Sequence, residues 1–259
     1  MWGAIIGDLA GSIYEFQQTK IISKIDITEI IDNKSFFSDD TILTVSILDA
    51  ILNNKKYEEY LKLYGKKFID YKPNFDPYFR NSFSPGFVKW LNGDFIGTSR
   101  GNGAMMRISP VGYLFDNIND IISNSLLATT PSHCSKEAID SATIIALIIF
   151  LARNNYSKED IIDYLNLKIS YTPFNKFNTT CYQTIDNCLY ALFTSDSFNE
   201  SIKKVISYGG DTDTNACIVG GMAEAMYGID YNLIEKAKEK IPVEFVNKLN
   251  QGYKKIKKV

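Results

Sequence analysis

The sequence predicts an all-α fold in a single domain. Three observations carry this prediction. Apolar residues recur at helical spacing along most of the chain, strand-like alternation is confined to one short stretch, and 259 residues with 45% hydrophobic and 22% charged content suit one soluble core. Residues 2–14 are small and apolar, as in a closely packed core helix. Ile22 to Ile31 alternates in part and is the candidate hairpin. From Thr41 to Leu52 the apolar positions Ile42, Leu43, Val45, Ile47, Leu48 and Ile51 fall nearer to period 3.6 than to 2. Lys56 to Tyr71 is amphipathic and stops before Pro73. Residues 72–112 hold Pro73, Pro77, Pro85, Gly86, Gly93, Gly97, Gly101 and Gly103 and read as irregular. An irregular stretch of that length inside a compact domain commonly belongs to a binding site. Ile118 to Ala128 reads as a helix ending before Pro131. Glu137 to Asn154 is the clearest helix, with Glu137 and Asp140 early and Arg153 late, matching the helix dipole. Ser157 to Leu167 opens on Ser157-Lys158-Glu159-Asp160, a capping-box pattern. Thr179 to Phe193, Ser197 to Ser207, Thr214 to Tyr227 and Asp230 to Ile241 complete the helices. There is no repeat, linker or low-complexity segment, so residues 1–259 are expected to form one domain.

Composition excludes several roles. A net charge of -2 gives no electrostatic footprint for stable nucleic-acid binding, and the basic run Lys254-Lys255-Ile256-Lys257-Lys258 reads as a solvated tail. The first residues, MWGAIIGDLAGSIYEF, lack a basic start and are broken by Asp8 and Glu15, so they do not read as a signal peptide. The apolar run from Ala142 to Ala152 covers eleven residues, against the roughly 20 that a bilayer span requires. No membrane association and a cytoplasmic location are therefore expected. Cys134, Cys181, Cys188 and Cys217 form no C-x-x-C pair and read as buried free thiols.

The chemistry-bearing residues are carboxylates. The sole histidine, His133, cannot build an imidazole-rich metal centre, so a metal site here needs oxygen ligands, which suit hard ions such as Mg²⁺ or Mn²⁺. Two segments offer them. Ser38-Asp39-Asp40-Thr41 precedes an apolar helix, and Gly209-Gly210-Asp211-Thr212-Asp213-Thr214 opens another. Helix capping is the plain alternative for both. One carboxylate suffices for a cap, however, and Asp211 beside Asp213 is costly without a cation. The four aspartates, with the hydroxyls of Ser38, Thr41, Thr212 and Thr214, are enough for a binuclear site. Mid-chain, Gly101-Asn102-Gly103 can bring backbone amides close to a phosphate, although alone it reads equally as a tight turn. Arg107 lies between apolar Met106 and Ile108, which favours a tie to the core over a ligand contact. His133, just before a helix, fits a capping or buried histidine as well as a functional one.

In this order the pieces resemble the ADP-ribosylglycohydrolase family. The resemblance rests on Gly3-Ala4-Ile5-Ile6-Gly7-Asp8 with Tyr14-Glu15-Phe16, Ser38-Asp39-Asp40-Thr41, Gly101 through Pro110, Ser132-His133 and Gly209 through Thr214, spanning about residues 2–228. It implies a compact all-α fold of orthogonal helices with a metal-containing central cleft. It implies Ser38, Asp39, Asp40, Asp211, Asp213 and Thr214 as ligands of two Mg²⁺ or Mn²⁺ ions, and Gly101, Asn102, Gly103, Ala104, Met105 and His133 as the ADP-ribose site. Asp39, Asp40 and Glu15 are the implied catalytic acids. The implied reaction releases ADP-ribose from a modified target, a protein or another acceptor. A catalytically silent ADP-ribose-binding protein and an immunity protein against an ADP-ribosyltransferase toxin are the alternatives. Ser38 stands where threonine is usual, Ala104 where serine or glycine is common, and Ser135 where a second histidine is frequent. The last two differences bear on affinity and substrate choice.

Overall fold

The structure is a computed structural model describing residues 1–15, 27–73, 82–94, 97–173 and 177–256. Among these the protein is all-helical. The only β pairing among the described residues is two isolated bridges, Thr98 with His133 and Gly101 with Thr180. In the candidate hairpin, residues 22–26 lie outside the described segments and 27–31 form bends rather than a strand.

Two helices from opposite ends of the sequence make the central contact. α1 (Trp2–Gly11) carries Gly3, Gly7 and Gly11 at four-residue spacing, which places them on one helix face. That face lies directly against the backbone of α12 (Thr212–Tyr227). A β-carbon on Gly3 would stand 2.1 Å from the Gly220 carbonyl oxygen, and one on Gly11 2.2 Å from that of Thr212. The helices meet backbone to backbone, so no side chain larger than hydrogen fits between them. The contact sets Asp8 of α1 beside the first turn of α12.

α2 (Asp39–Leu52) packs against α1 and is covered by α3 (Tyr57–Lys67) and α14 (Val243–Ile256). The region expected to be irregular contains α4 (Pro85–Leu91), α5 (Gly103–Met106) and α6 (Ser109–Leu114). They are short and interrupted by turns, which hides their period. α4 nevertheless carries a helix-start signature: Ser84 accepts a hydrogen bond from the Phe87 N–H, and Pro85 opens the helix. α7 (Ile118–Thr129) and α8 (Lys136–Arg153) follow, with α8 touching α5, α6, α7, α10 (Cys181–Phe193) and α12. The capping box expected at Ser157 and Asp160 opens α9 (Lys158–Leu165). α11 (Phe198–Ser207) leads into α12, and α13 (Tyr231–Lys238) precedes α14. The sequence reading did not anticipate α14. Phe245 and Leu249 are fully buried on its inner face, and Lys254 and Lys255 lie in its last turn, while Lys257 and Lys258 of the expected tail lie outside the described residues.

Cys181, Cys188 and Cys217 are buried, but Cys134 is exposed, because it lies in the loop before α8. Among the described residues no helix is long and apolar enough to cross a membrane.

Candidate metal and ligand cavity

Asp8 organises the start of α2. It is fully buried, and its carboxylate accepts from the Ser38 N–H (2.9 Å), the Ser38 hydroxyl (2.8 Å), the Thr41 N–H (3.1 Å) and the Thr41 hydroxyl (2.5 Å). Ser38 also caps α2, accepting from the Asp40 N–H at 3.1 Å. The hydroxyl therefore serves as the cap, and both aspartates are released from that task. Asp39 is held from the other side by Ser82, whose hydroxyl accepts from the Asp39 N–H (2.6 Å) and donates to Oδ1 (3.0 Å). Asp40 points inward, where its Oδ2 accepts from Thr214 at 3.2 Å and its buried Oδ1 has no hydrogen-bond partner.

The second cluster arrives through Gly209 and Gly210, at φ 75 and 77. Consecutive left-handed residues are accessible at little cost only to glycine. They turn the chain from α11 into α12 and bring Asp211 and Asp213 to the cavity. Asp211 occupies the N-cap position of α12 but makes no side-chain cap bond. It accepts instead from Nδ2 of Asn102 at 2.6 Å. Asp213 accepts from the Thr214 N–H at 2.8 Å.

The ends of the chain thus converge. One carboxylate oxygen each from Asp8, Asp40 and Asp213 lies within 4.8 Å of the others, as does one each from Glu15, Asp211 and Asp213. Asp213 belongs to both groups. Burial is the main force pushing all of these aspartates upward in pKa. Asp8 reaches about 6 despite its four donors, and Asp39 about 7 with Asp8 and Asp211 nearby. Asp40 and Asp213 lie well above the usual range, through burial and then their charged neighbours. Asp211 is raised by burial, with Asn102 opposing the shift. Buried carboxylates this close, one with an orphaned oxygen, fit a site for hard divalent ions. Among the described residues, both groups offer only carboxylate oxygen.

Except for Asp8, which is buried away from it, these groups line a cavity of about 660 Å³. Gly101, Asn102, Gly103, Met106, Arg107 and His133 line it as well. Phe36, Phe83, Phe87 and Phe177 also line it. The glycine loop is anchored by Asn102 N–H to Thr179 O (2.8 Å), Cys181 N–H to Arg100 O (2.9 Å) and the Cys181 thiol to Gly101 O (3.0 Å).

The structure therefore gathers Glu15, Ser38, Asp39, Asp40, Gly101, Asn102, Gly103, His133, Asp211, Asp213 and Thr214 around one cavity. Ala104 and Met105 are buried in α5 and do not line it; Met106 does. Sequence reasoning gave no site role to Asp8, Ser82 or the phenylalanines. Asp8 left a signal, being a lone charge within an apolar helix, where an ionised group requires dedicated partners. Ser82 and the phenylalanines left none.

The family model for ADP-ribosylglycohydrolase matches residues 1–258. The chain belongs to the ADP-ribosylglycohydrolase family. It is 20% identical over 314 residues to human ADP-ribosylhydrolase ARH3, covering 88% of this chain and 84% of that protein. It is 30% identical over 144 residues to the Escherichia coli protein YegU, and this match spans 51% of this chain and under half of that relative, 42%. A solved structure described as an ADP-ribosylglycohydrolase-related protein complex superposes with a TM-score of 0.69 at 16% identity, covering 98% of this chain and 93% of the other. That likeness extends the shared all-α fold to nearly the whole chain.

Proposed function

We propose that this ADP-ribosylglycohydrolase-family chain acts as one domain over residues 1–259 and is a divalent-metal-dependent glycosidase. It cleaves the bond at the anomeric carbon of ADP-ribose and releases ADP-ribose from a modified target. The observation that carries this reading is the convergence of aspartates from both ends of the chain on one cavity, with neither pair consumed by helix capping. Family membership supplies the substrate class.

Ser38, Asp39, Asp40, Asp211, Asp213 and Thr214 would hold two Mg²⁺ or Mn²⁺ ions, with Asp8 fixing Ser38 and Thr41 beneath them. Bound there, such ions would supply Lewis-acid polarisation and an acidified water. Asp39, Asp40 and Glu15 would be the carboxylates that exchange a proton with the leaving group or the attacking water. Gly101 and Asn102 spend their N–H groups on Ser99 Oγ and Thr179 O, so Gly103 N–H and the His133 ring would be the donors to the diphosphate, and the phenylalanine-lined part of the cavity suits a flat base. Contacts from Ala104 and Met105 would come from their main chain. A volume of about 660 Å³ lies within the ordinary range for small-molecule sites, roughly 300–1,000 Å³.

The test is release of ADP-ribose from arginine-linked, serine-linked, nucleic-acid-linked and O-acetyl substrates, with and without Mg²⁺. At least one should be cleaved only with the ion. Asp39→Asn and Asp213→Asn should each lower turnover at least about tenfold, ~1.4 kcal/mol, with melting preserved. ADP-ribose binding without release from any substrate would identify a silent binder, and full activity in both variants would remove the metal site from the reaction.

A further inference from the structure

Arg107 makes fewer bonds than a core tie requires. It is 1% exposed, flanked by buried Met106 and Ile108. Its Nη2 donates to Ala128 O at 3.2 Å and to the Ser132 hydroxyl at 2.7 Å, while Nε and Nη1 have no hydrogen-bond partner. A buried guanidinium with open donors is costly. What a guanidinium adds is direction: it donates and never accepts.

That direction passes to the neighbouring residue. Ser132 Oγ lies 2.8 Å from Nδ1 of His133. With Arg107 donating to Oγ, the Ser132 hydrogen needs an acceptor. Among the described residues no other acceptor is bonded to that hydroxyl, so Nδ1 fills the role. The ring must then carry its proton on Nε2. Nε2 faces the glycine loop, 3.3 Å from where a β-carbon on Gly103 would stand and 3.7 Å from the equivalent point on Gly101. The backbone fixes the ring's base, through His133 N–H to Thr129 O (2.9 Å) and Cys134 N–H to Gly97 O (2.6 Å). Among the described residues no carboxylate hydrogen-bonds the ring. Burial, then the charge of Arg107, hold His133 well below the usual histidine range, so it is neutral at physiological pH.

We propose that Arg107 and Ser132 are positioning residues that lock His133 in its Nε2–H tautomer, making it a fixed, neutral donor to a ligand oxygen above Gly101–Gly103. That the oxygen belongs to ADP-ribose rests on the function proposed above. The ring is thereby a recognition group and is barred from serving as a base at Nε2.

The sole histidine makes the test unambiguous, since ring ¹⁵N resonances need no assignment. Two-bond ¹⁵N–¹H spectra of the ligand-free protein at neutral pH should show the neutral Nε2–H form. Ser132→Ala should produce a tautomer mixture and weaken ADP-ribose binding about tenfold, ~1.4 kcal/mol, while Ser132→Thr, which keeps the hydroxyl, should restore both. A wild-type spectrum with the proton on Nδ1, or a doubly protonated ring, overturns the lock. An unchanged tautomer in a folded Ser132→Ala protein does so as well. If Ser132→Ala does not fold, the wild-type and Ser132→Thr spectra decide. The spectra need no ligand, so a wild-type protein that shows Nε2–H but ignores ADP-ribose overturns the substrate reading and leaves the lock standing.

Discussion

A β-carbon on Gly7 would lie 1.9 Å from the carbonyl oxygen of Ala216, so α1 and α12 touch through their main chains at the level of the acid cluster. Even alanine must push the helices apart. Gly7→Ala should cost about 3 kcal/mol of stability by overpacking. It should also weaken Mn²⁺ binding, because Asp8 and Asp213 move with their helices. Gly86→Ala in α4 is the contrasting substitution. Its new atom meets nothing nearer than Ser84 Oγ at 4.0 Å, so a gain of about 0.5–1 kcal/mol is expected from the reduced freedom of the unfolded chain. Chemical denaturation of the two variants checks both signs.

Asp8→Asn separates scaffold from ligand. Four donors converge on the Asp8 carboxylate, and an amide can accept at only one of its two ends. In saturating Mg²⁺ the variant should lose about 2 kcal/mol of stability, and its Mn²⁺ affinity should fall at least about tenfold, ~1.4 kcal/mol. Denaturation and metal titration read the two effects. Lost stability with unchanged Mn²⁺ affinity would restrict Asp8 to clamping the start of α2.

Gly103→Val should weaken ADP-ribose binding and leave metal binding intact. The added side chain would enter the space between the loop and His133 Nε2, away from the aspartates. Calorimetry with ADP-ribose in saturating Mg²⁺ measures the first effect, and Mn²⁺ titration the second. Equal ADP-ribose affinity would place the diphosphate elsewhere.

Metal removal should reverse the usual pH response of carboxylates. In the metal-free protein, burial raises Asp8 to about 6, burial and then the charges of Asp8 and Asp211 raise Asp39 to about 7, and burial with neighbouring charge holds Asp40 and Asp213 well above the usual carboxylate range. The folded state therefore holds more protons than the unfolded chain between the unfolded carboxylate range, about 4, and those raised values. Their contribution to stability is complete below about pH 4, and the part from Asp8 and Asp39 is lost as pH rises through 6 to 7. Comparing melting temperatures of chelated and Mg²⁺-loaded protein from pH 5 to 8 should show a gap that widens with pH. A constant gap would mean that the carboxylates are not crowded.

The sequence made the long periodic helices legible because each buries a broad apolar face. The 136–153 helix was anticipated within one residue at each end, and the capping box at Ser157 and Asp160 was anticipated as such. The helices within 85–114 were not read. Their segments are too short to show a period, and their prolines and glycines read as breaks although Pro85 in fact starts a helix. α14 was missed because its polar residues and basic end outweigh the few side chains it buries. The Ser38–Thr41 and Gly209–Thr214 segments could be found because their residue types crowd within a few positions. Asp8 stands alone in sequence, and its partners are thirty or more positions away. Ser82 and the Arg107–Ser132–His133 chain depend on packing that no local pattern encodes.

The hydroxyl of Thr214 reaches an aspartate 174 positions earlier in the chain. A ribosome adding ~5–20 residues per second needs roughly 10–35 s to make that stretch. Throughout that interval the growing polypeptide has Asp8, Asp39 and Asp40 but not their counterparts, so it cannot chelate as the finished protein would. A chain stalled before residue 211 should therefore retain no Mn²⁺ on gel filtration, and ion capture would wait for the synthesis of Asp211 and Asp213.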